Sequence, residues 1–456
     1  MRRDIAIRSR RVVARGGITP ATILTSGGRV SKIAAYDFSS ARDVMDAGND
    51  IVMAGLVDTH VHIDEPGRTD WEGFHSGTRA AAAGGVTTLL DMPLNSTPAT
   101  TSLSALIAKE AAAAGSCFVD VGFIGGVVPG NAGELEPLFA AGVLAFKCFL
   151  VPSGVPDFPP ATEPDLREAL PVLSRLGAPL MVHAEAPDLI DAATDVAADS
   201  LAHSPREYAS YLRTRPATAE VEAVSLLVAL AHEYGAWIHI VHVSSADAIP
   251  VLARARAEGA RVTAESCPHY LFFCAEEIAD GATEYKCAPP IRGRDHREAL
   301  WDALGRGTLD MVVSDHSPCP PALKCRESGH FLEAWGGISS LQLGLGAVWS
   351  GARARGHGPD RLSEWMSAAP AALAGLESRK GVLAPGADAD IIIWSPDEDL
   401  QVRPESLHHR HALTPYLGVA LPGVVRSTYL RGQLIYDRGE FVSDPSGVFQ
   451  KHRGRR

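Results

Sequence analysis

The sequence predicts an α/β protein: a (β/α)8 TIM-type barrel with a small β-sandwich domain built from both chain termini. Three observations point there. They are eight short β-branched runs, Ala/Glu/Arg-rich stretches between most of them, and strand-like patterning around turn glycines at the two ends. A chain of 456 residues has room for both units, because α/β barrels often exceed about 250 residues as one domain.

In chain order the β-branched runs occupy residues 51–58, 87–92, 118–124, 143–150, 180–183, 237–243, 262–266 and 309–314. Helix-forming stretches at 102–114, 220–234 and 246–258 lie between them, and such strand–helix alternation makes a parallel sheet. Eight units over about 300 residues favour a closed barrel over an open doubly wound sheet. No glycine fingerprint for a dinucleotide supports the open sheet. The first 50 residues hold short strand candidates beside Gly16-Gly17 and Gly27-Gly28, and the last part of the chain holds others at 389–394, 427–430 and 433–436. Neither end alone has enough strands to bury a face. Residues 1–50 and 382–456 are therefore expected to form one β-sandwich beside a barrel spanning 51–381.

Composition narrows the function. The net charge is −12 with 46% hydrophobic residues, an ordinary globular balance that argues against a nucleic-acid partner. The basic clusters Arg8-Ser9-Arg10-Arg11 and Lys451-His452-Arg453-Gly454-Arg455-Arg456 read as solvated tails. The charged N-terminus lacks the apolar core of a secretory leader, and no apolar run reaches the roughly 18 residues that span a bilayer. No membrane partner and a cytoplasmic location are expected. Seven scattered cysteines without a C-x-x-C pair fit reduced thiols better than a disulfide frame or zinc knuckle, so any metal must use harder ligands.

The sharpest local signal is Asp58-Thr59-His60-Val61-His62 at the end of the first barrel strand. Alternate strand residues share a face, so His60 and His62 can point together into the barrel mouth and hold one cation. Lys147, His183, His242 and Asp315 each lie at or near the end of another apolar strand, and barrel active sites form where those ends converge. His239, three residues before His242, is expected to face the other way, in packing or in a supporting hydrogen bond. His316 either supports Asp315 or points away from the mouth. Lys147, buried beside Phe146 and Phe149, should lose its proton easily, add carbon dioxide and become a bridging carbamate. The carbamate would hold two divalent ions roughly 3.5–4 Å apart, with His60, His62 and Asp315 on one and His183 and His242 on the other. A water between them would attack a carbonyl carbon while Asp315 takes its proton and passes it to the leaving nitrogen.

At these residues the chain resembles the cyclic amidohydrolases of the urease-related superfamily, and among them the allantoinases. The resemblance runs through Gly55 to His62, Glu65-Pro66-Gly67-Arg68, Trp71-Glu72-Gly73, Asp91 to Asn95 and Gly142 to Phe149. It continues through Glu265 to Tyr270, Cys287 to Arg292, Val313 to Pro320 and Ala334 to Ile338. It implies a metal-dependent hydrolase in which His60, His62, Lys147, His183, His242 and Asp315 hold two ions, zinc most often and cobalt or manganese in some members. It also implies a homo-oligomer, often a tetramer, acting on a small molecule. Non-catalytic scaffold relatives have lost metal ligands, whereas this chain keeps all six.

Substrate class follows from the same resemblance. Dihydroorotases place an arginine two residues after the second strand-one histidine to hold a carboxylate, and here that residue is Asp64. Dihydropyrimidinases and hydantoinases usually carry a tyrosine just after the strand-four lysine, and residues 148–155 contain none, as in allantoinases. The implied reaction is hydrolysis of the hydantoin ring of allantoin to allantoate in purine breakdown, with a hydantoinase of broader ring tolerance as the rival. By analogy, main-chain groups near Ala288 and Trp335-Gly336 would grip the ring amide, with Asn95 and Ser317 as candidate polar contacts.

Overall fold

A computed structural model describes residues 4–14, 16–38 and 44–452. The N-terminal part makes strands β1 (Ala6–Ala14), β2 (Gly17–Ser26), β3 (Arg29–Ala35), β4 (Val44–Asp46) and β5 (Ile51–Ala54). Eight parallel strands follow: β6 (Leu56–Val61), β7 (Val86–Asp91), β8 (Asp120–Gly126), β9 (Ala145–Phe149), β10 (Leu180–His183), β11 (Ile238–Ile240), β12 (Val262–Ser266) and β13 (Met311–Val312). The chain ends in β14 (Ile391–Gln401), β15 (Ala420–Leu430), β16 (Gln433–Asp437), β17 (Glu440–Phe441) and β18 (Phe449–Gln450).

The eight strands β6 to β13 are hydrogen-bonded in sequence order, and the two ends of that order meet. Val61, at the end of β6, forms a parallel bridge with His316, whose carbonyl accepts from the His62 N–H at 2.8 Å. Deeper in the barrel the Ser314 N–H donates to Asp58 Oδ2 at 3.0 Å. Every residue of β6, β7 and β8 is buried, as continuous apolar runs covered on both faces require. Helices at Leu103–Ala113 and Ala217–Tyr234 occupy the expected stretches, the first capped by the Ser102 side chain, which accepts from the Ala105 N–H.

The β unit built from both ends is present as a mostly antiparallel sheet in the order β17-β16-β15-β14-β5-β1-β2-β3. One strand assignment changes. Residues 51–58 read as a single barrel strand, but Ile51–Ala54 pairs with β1 and β14 in the terminal sheet, and the barrel begins at Leu56. The chain crosses between sheets at Gly55, where a Cβ would lie 2.2 Å from Thr87 Oγ1. Only glycine fits against the start of β7.

The described residues of the basic clusters are not free tails. Arg8 and Arg11 belong to β1, where Arg8 pairs with Asp46 at 2.8 Å and the Arg11 Nε donates to the Asn49 carbonyl at 2.5 Å. Lys451 pairs with Glu110 at 2.5 Å, and the His452 ring lies 4.0 Å from Phe139. Arg453 to Arg456 lie outside the described residues, as do Arg2 and Arg3. Just before them β18 pairs with β8. A buried ion cluster ties this end to the barrel: Lys380 Nζ lies 2.6 Å from both Asp120 and Asp390 and 3.1 Å from Asp388, while Arg431 also bonds Asp120. Arg379 pairs with Asp388 at 2.7 Å, so three cations face the three aspartates.

Candidate active site

Each chemistry-bearing side chain sits where a barrel strand ends. Leaving the strand abruptly turns the side chain into the mouth, and the backbone shows how sharply the chain turns. Asp64, Asn95, His242 and Asp315 all adopt left-handed φ, between 41° and 69°. Non-glycine residues pay on the order of 1 kcal/mol each for that conformation, and such strain concentrates at functional sites.

The mouth encloses a cavity of about 440 Å³. His60, His62, His183, His242 and Asp315 line it, together with Asn95, Ala288, Ser317 and Trp335. Lys147 is fully buried outside this lining. One donor atom each from His60, His62 and Asp315 falls within 4.8 Å of the others, with Asp315 Oδ1 3.2 Å from His60 Nε2 and 3.8 Å from His62 Nε2. The His242 ring lies 5.3 Å from His60 and 4.7 Å from His183, so all four imidazoles form one group. The Lys147 amine is 4.9 Å from the Phe149 ring, and among the described residues neither it nor the His242 Nδ1 has a hydrogen-bond partner.

The supporting contacts were only partly foreseen. Glu265 bridges two histidines: Oε1 lies 2.6 Å from His60 Nδ1 and Oε2 2.9 Å from His239 Nε2. His239 thus makes the supporting hydrogen bond expected of it, through a carboxylate that it shares with His60. His242 lies beyond the end of that strand, Ile238–Ile240, in a left-handed turn, so alternation does not relate the two rings. Glu185 accepts from His183 Nε2 at 2.7 Å and is also paired with Arg215, which reaches the cavity wall. Asn95 has a partner, His62 Nδ1 at 3.3 Å, so it orients a histidine as well as lining the cavity. The His316 ring bonds none of the six: its Nδ1 accepts from the Ser340 N–H at 3.1 Å and its Nε2 lies 3.3 Å from Glu72, away from the cavity lining.

Two lysines build the wall around Trp335. Lys286 donates to the carbonyls of Leu332 and Ala334, and Lys324 to those of Trp335 and Gly337. Trp335 meets Trp71 edge-on at 4.9 Å. Glu185, Glu265 and Phe149 stand two residues from, or inside, the very motifs quoted for the site. Arg215, Lys286 and Lys324 carry no local signal, since their partners are distant in the chain.

Burial and charge set the protonation states. Burial lowers His60 to about 4, with Lys147 reinforcing it, and pushes His62 and His242 well below their usual value. Four neutral imidazoles offer lone pairs to a cation. Burial also lowers the Lys147 amine below its usual value, against the pull of Asp315, and raises the Asp315 carboxyl. Burial opposes ionisation of Glu185 and Glu265, yet Arg215 and His183 for the first, and His60 and His239 for the second, hold both at about 2.

A closed eight-stranded barrel with histidines, a lysine and an aspartate gathered at its C-terminal mouth defines a barrel enzyme of the metal-assisted hydrolase class. The chain belongs to the amidohydrolase family, whose model matches residues 51–435. It is 46% identical over 446 residues to a protein named allantoinase from Streptomyces avermitilis, covering 97% of this chain and 98% of that one. It is 43% identical to the allantoinase of Arabidopsis thaliana, over 97% of this chain and 90% of the other. Among solved structures it resembles the L-hydantoinase (dihydropyrimidinase) of Arthrobacter aurescens, with a TM-score of 0.92 and 31% identity over 98% of this chain and 100% of that one. Among the described residues no helix is long and apolar enough to cross a membrane.

Proposed function

We propose that this protein hydrolyses the hydantoin ring of allantoin to allantoate, with a catalytic centre made of His60, His62, Lys147, His183, His242 and Asp315. The observation that carries the reading is the convergence of these six residues beneath and around one cavity, in a chain that matches proteins named allantoinase over nearly its whole length.

The donor set fits a pair of divalent cations. Four imidazoles are held neutral, and the Lys147 amine is sealed from solvent without a partner, the situation that carbamate formation would relieve. His60, His62 and Asp315 would hold one ion and His183 and His242 the other, with carboxylated Lys147 between them; zinc is the expected metal, with cobalt or manganese as substitutes. When bound, the ions supply a polarised carbonyl and a readily ionised water.

The chain's own residues do the rest. Glu265 and Glu185 hold His60 and His183 in single orientations. Asp315 accepts a proton from the attacking water and delivers it to the ring nitrogen as the C–N bond breaks, leaving a carboxylate and a free amide nitrogen. Ala288, Ser317 and Trp335 surround the ring, with Asn95 reaching from the His62 side.

The rival reading, a hydantoinase of broad ring tolerance, is less supported, because the allantoinase likeness is higher in identity than the hydantoinase one. Turnover on allantoin, hydantoin and dihydrouracil tests the choice: allantoin should be the preferred substrate, and equal or better turnover of the other rings would overturn it. The reading includes a homotetramer in the cytoplasm, checked by light scattering on the purified protein and by cell fractionation.

A further inference from the structure

The segment after β12 holds donors that the proposed mechanism leaves unused. One donor atom each from Cys267, His269 and Asp315 lies within 4.8 Å of the others. Cys267 and His269 are both 0% exposed. Among the described residues, neither nitrogen of the His269 imidazole has a hydrogen-bond partner. Its ring packs against Tyr270 at 4.2 Å, but an imidazole buried only for packing would be expected to satisfy at least one nitrogen. A buried, unpaired imidazole beside a thiol and a carboxylate is a donor set suited to a cation.

We propose that Cys267, His269 and Asp315 form a third cation position, selective for a soft or borderline ion such as zinc or cadmium, that competes for Asp315 and slows the enzyme when such ions are in excess. The donor chemistry sets the selectivity: thiolate and imidazole favour zinc and cadmium over magnesium, calcium or manganese, which prefer oxygen. Asp315 lines the cavity, so an ion arriving from the mouth meets it first. On binding, the Cys267 thiol gives up its proton to solvent and the sulfur bonds the ion. An Asp315 oxygen engaged there is withdrawn from proton transfer. This inhibitory consequence rests on the role proposed for Asp315, whereas the binding itself does not.

Cadmium tests both parts on the metal-loaded protein. The six residues of the proposed catalytic pair contain no thiol, so near-ultraviolet absorption from a cadmium–thiolate bond reports a different place. Wild type should take up a further equivalent of Cd2+ with that absorption. Cys267→Ser should abolish it, and His269→Gln should weaken uptake by at least about tenfold. Cys287→Ser, which alters another thiol at the cavity, should leave it intact. Absorption that survives in Cys267→Ser, or that Cys287→Ser removes, overturns the site. If Cys267→Ser melts at a lower temperature, His269→Gln carries the test alone. Inhibition of turnover by excess Cd2+ should vanish with Cys267→Ser; inhibition unchanged while the absorption is lost would overturn the competition for Asp315 and leave the site standing. The absorption readout needs no substrate, so a failed allantoin assay does not affect it.

Discussion

Glu265 Oε1 lies 2.6 Å from His60 Nδ1, with both side chains closed off from solvent. A carboxylate held at about 2 can only accept, so His60 carries its proton on Nδ1 and turns the lone pair of Nε2 toward Asp315. Replacing the acceptor frees the tautomer. Glu265→Gln should lower metal affinity by about 10–100-fold, read as metal retained after dialysis against a weak chelator. Retention equal to wild type would show that the contact does not orient His60.

Lys147→Ala removes the amine that would become the bridge. Activity should be lost, and short-chain carboxylic acids added to the variant should restore part of it by standing in for the carbamate. Unchanged turnover in the variant would contradict the assignment.

Asp315→Asn keeps the size of the side chain but removes its capacity to take a proton. The turnover number should fall by about 10²–10⁴-fold while the variant still retains some metal. A rate near wild type would remove Asp315 as the base.

Lys324 is buried with no carboxylate partner among the described residues and donates to the carbonyls of Trp335 and Gly337. Lys324→Met leaves those acceptors unpaired, at about 1–3 kcal/mol, and loosens the wall beside the ring. KM should rise more than kcat falls, with a lower melting temperature. A fall in kcat alone would place Lys324 in the chemistry.

His409 is buried with both nitrogens unpaired, facing His316, Glu72, His408 and His411, and burial followed by the charge of His316 lowers it from 6.5 to about 4. The unfolded chain therefore binds a proton that the folded chain refuses. Its contribution is fully present above pH 6.5 and is lost as pH falls toward about 4, by about 3 kcal/mol at most. His409→Phe should show a smaller drop in melting temperature between about pH 7 and about pH 4.5 than wild type. An equal drop would assign the acid sensitivity elsewhere.

Parallel strands buried on both faces are written as unbroken apolar runs, which is why β10 and β12 match the runs at 180–183 and 262–266 without adjustment. The same property hid the crossing at Gly55. Residues 51–58 stay apolar through the change of sheet, so no periodicity marks it. The supporting hydrogen bond expected of His239 is present, but that its carboxylate partner also holds His60 follows only from the tertiary structure.

Read alone, the chain specifies its strands, its helices and the kinds of donor atom at each strand end, because these depend on neighbours a few residues away. Tertiary structure decides which donors meet. Closure of β13 against β6 brings Asp315 to His60, and packing across the barrel sets Glu265 under His60 and His239, Arg215 against Glu185, and Cys267 with His269 beside Asp315. Those distances depend on barrel geometry and on unpaired polar groups seeking partners across the whole chain, information that no local pattern contains.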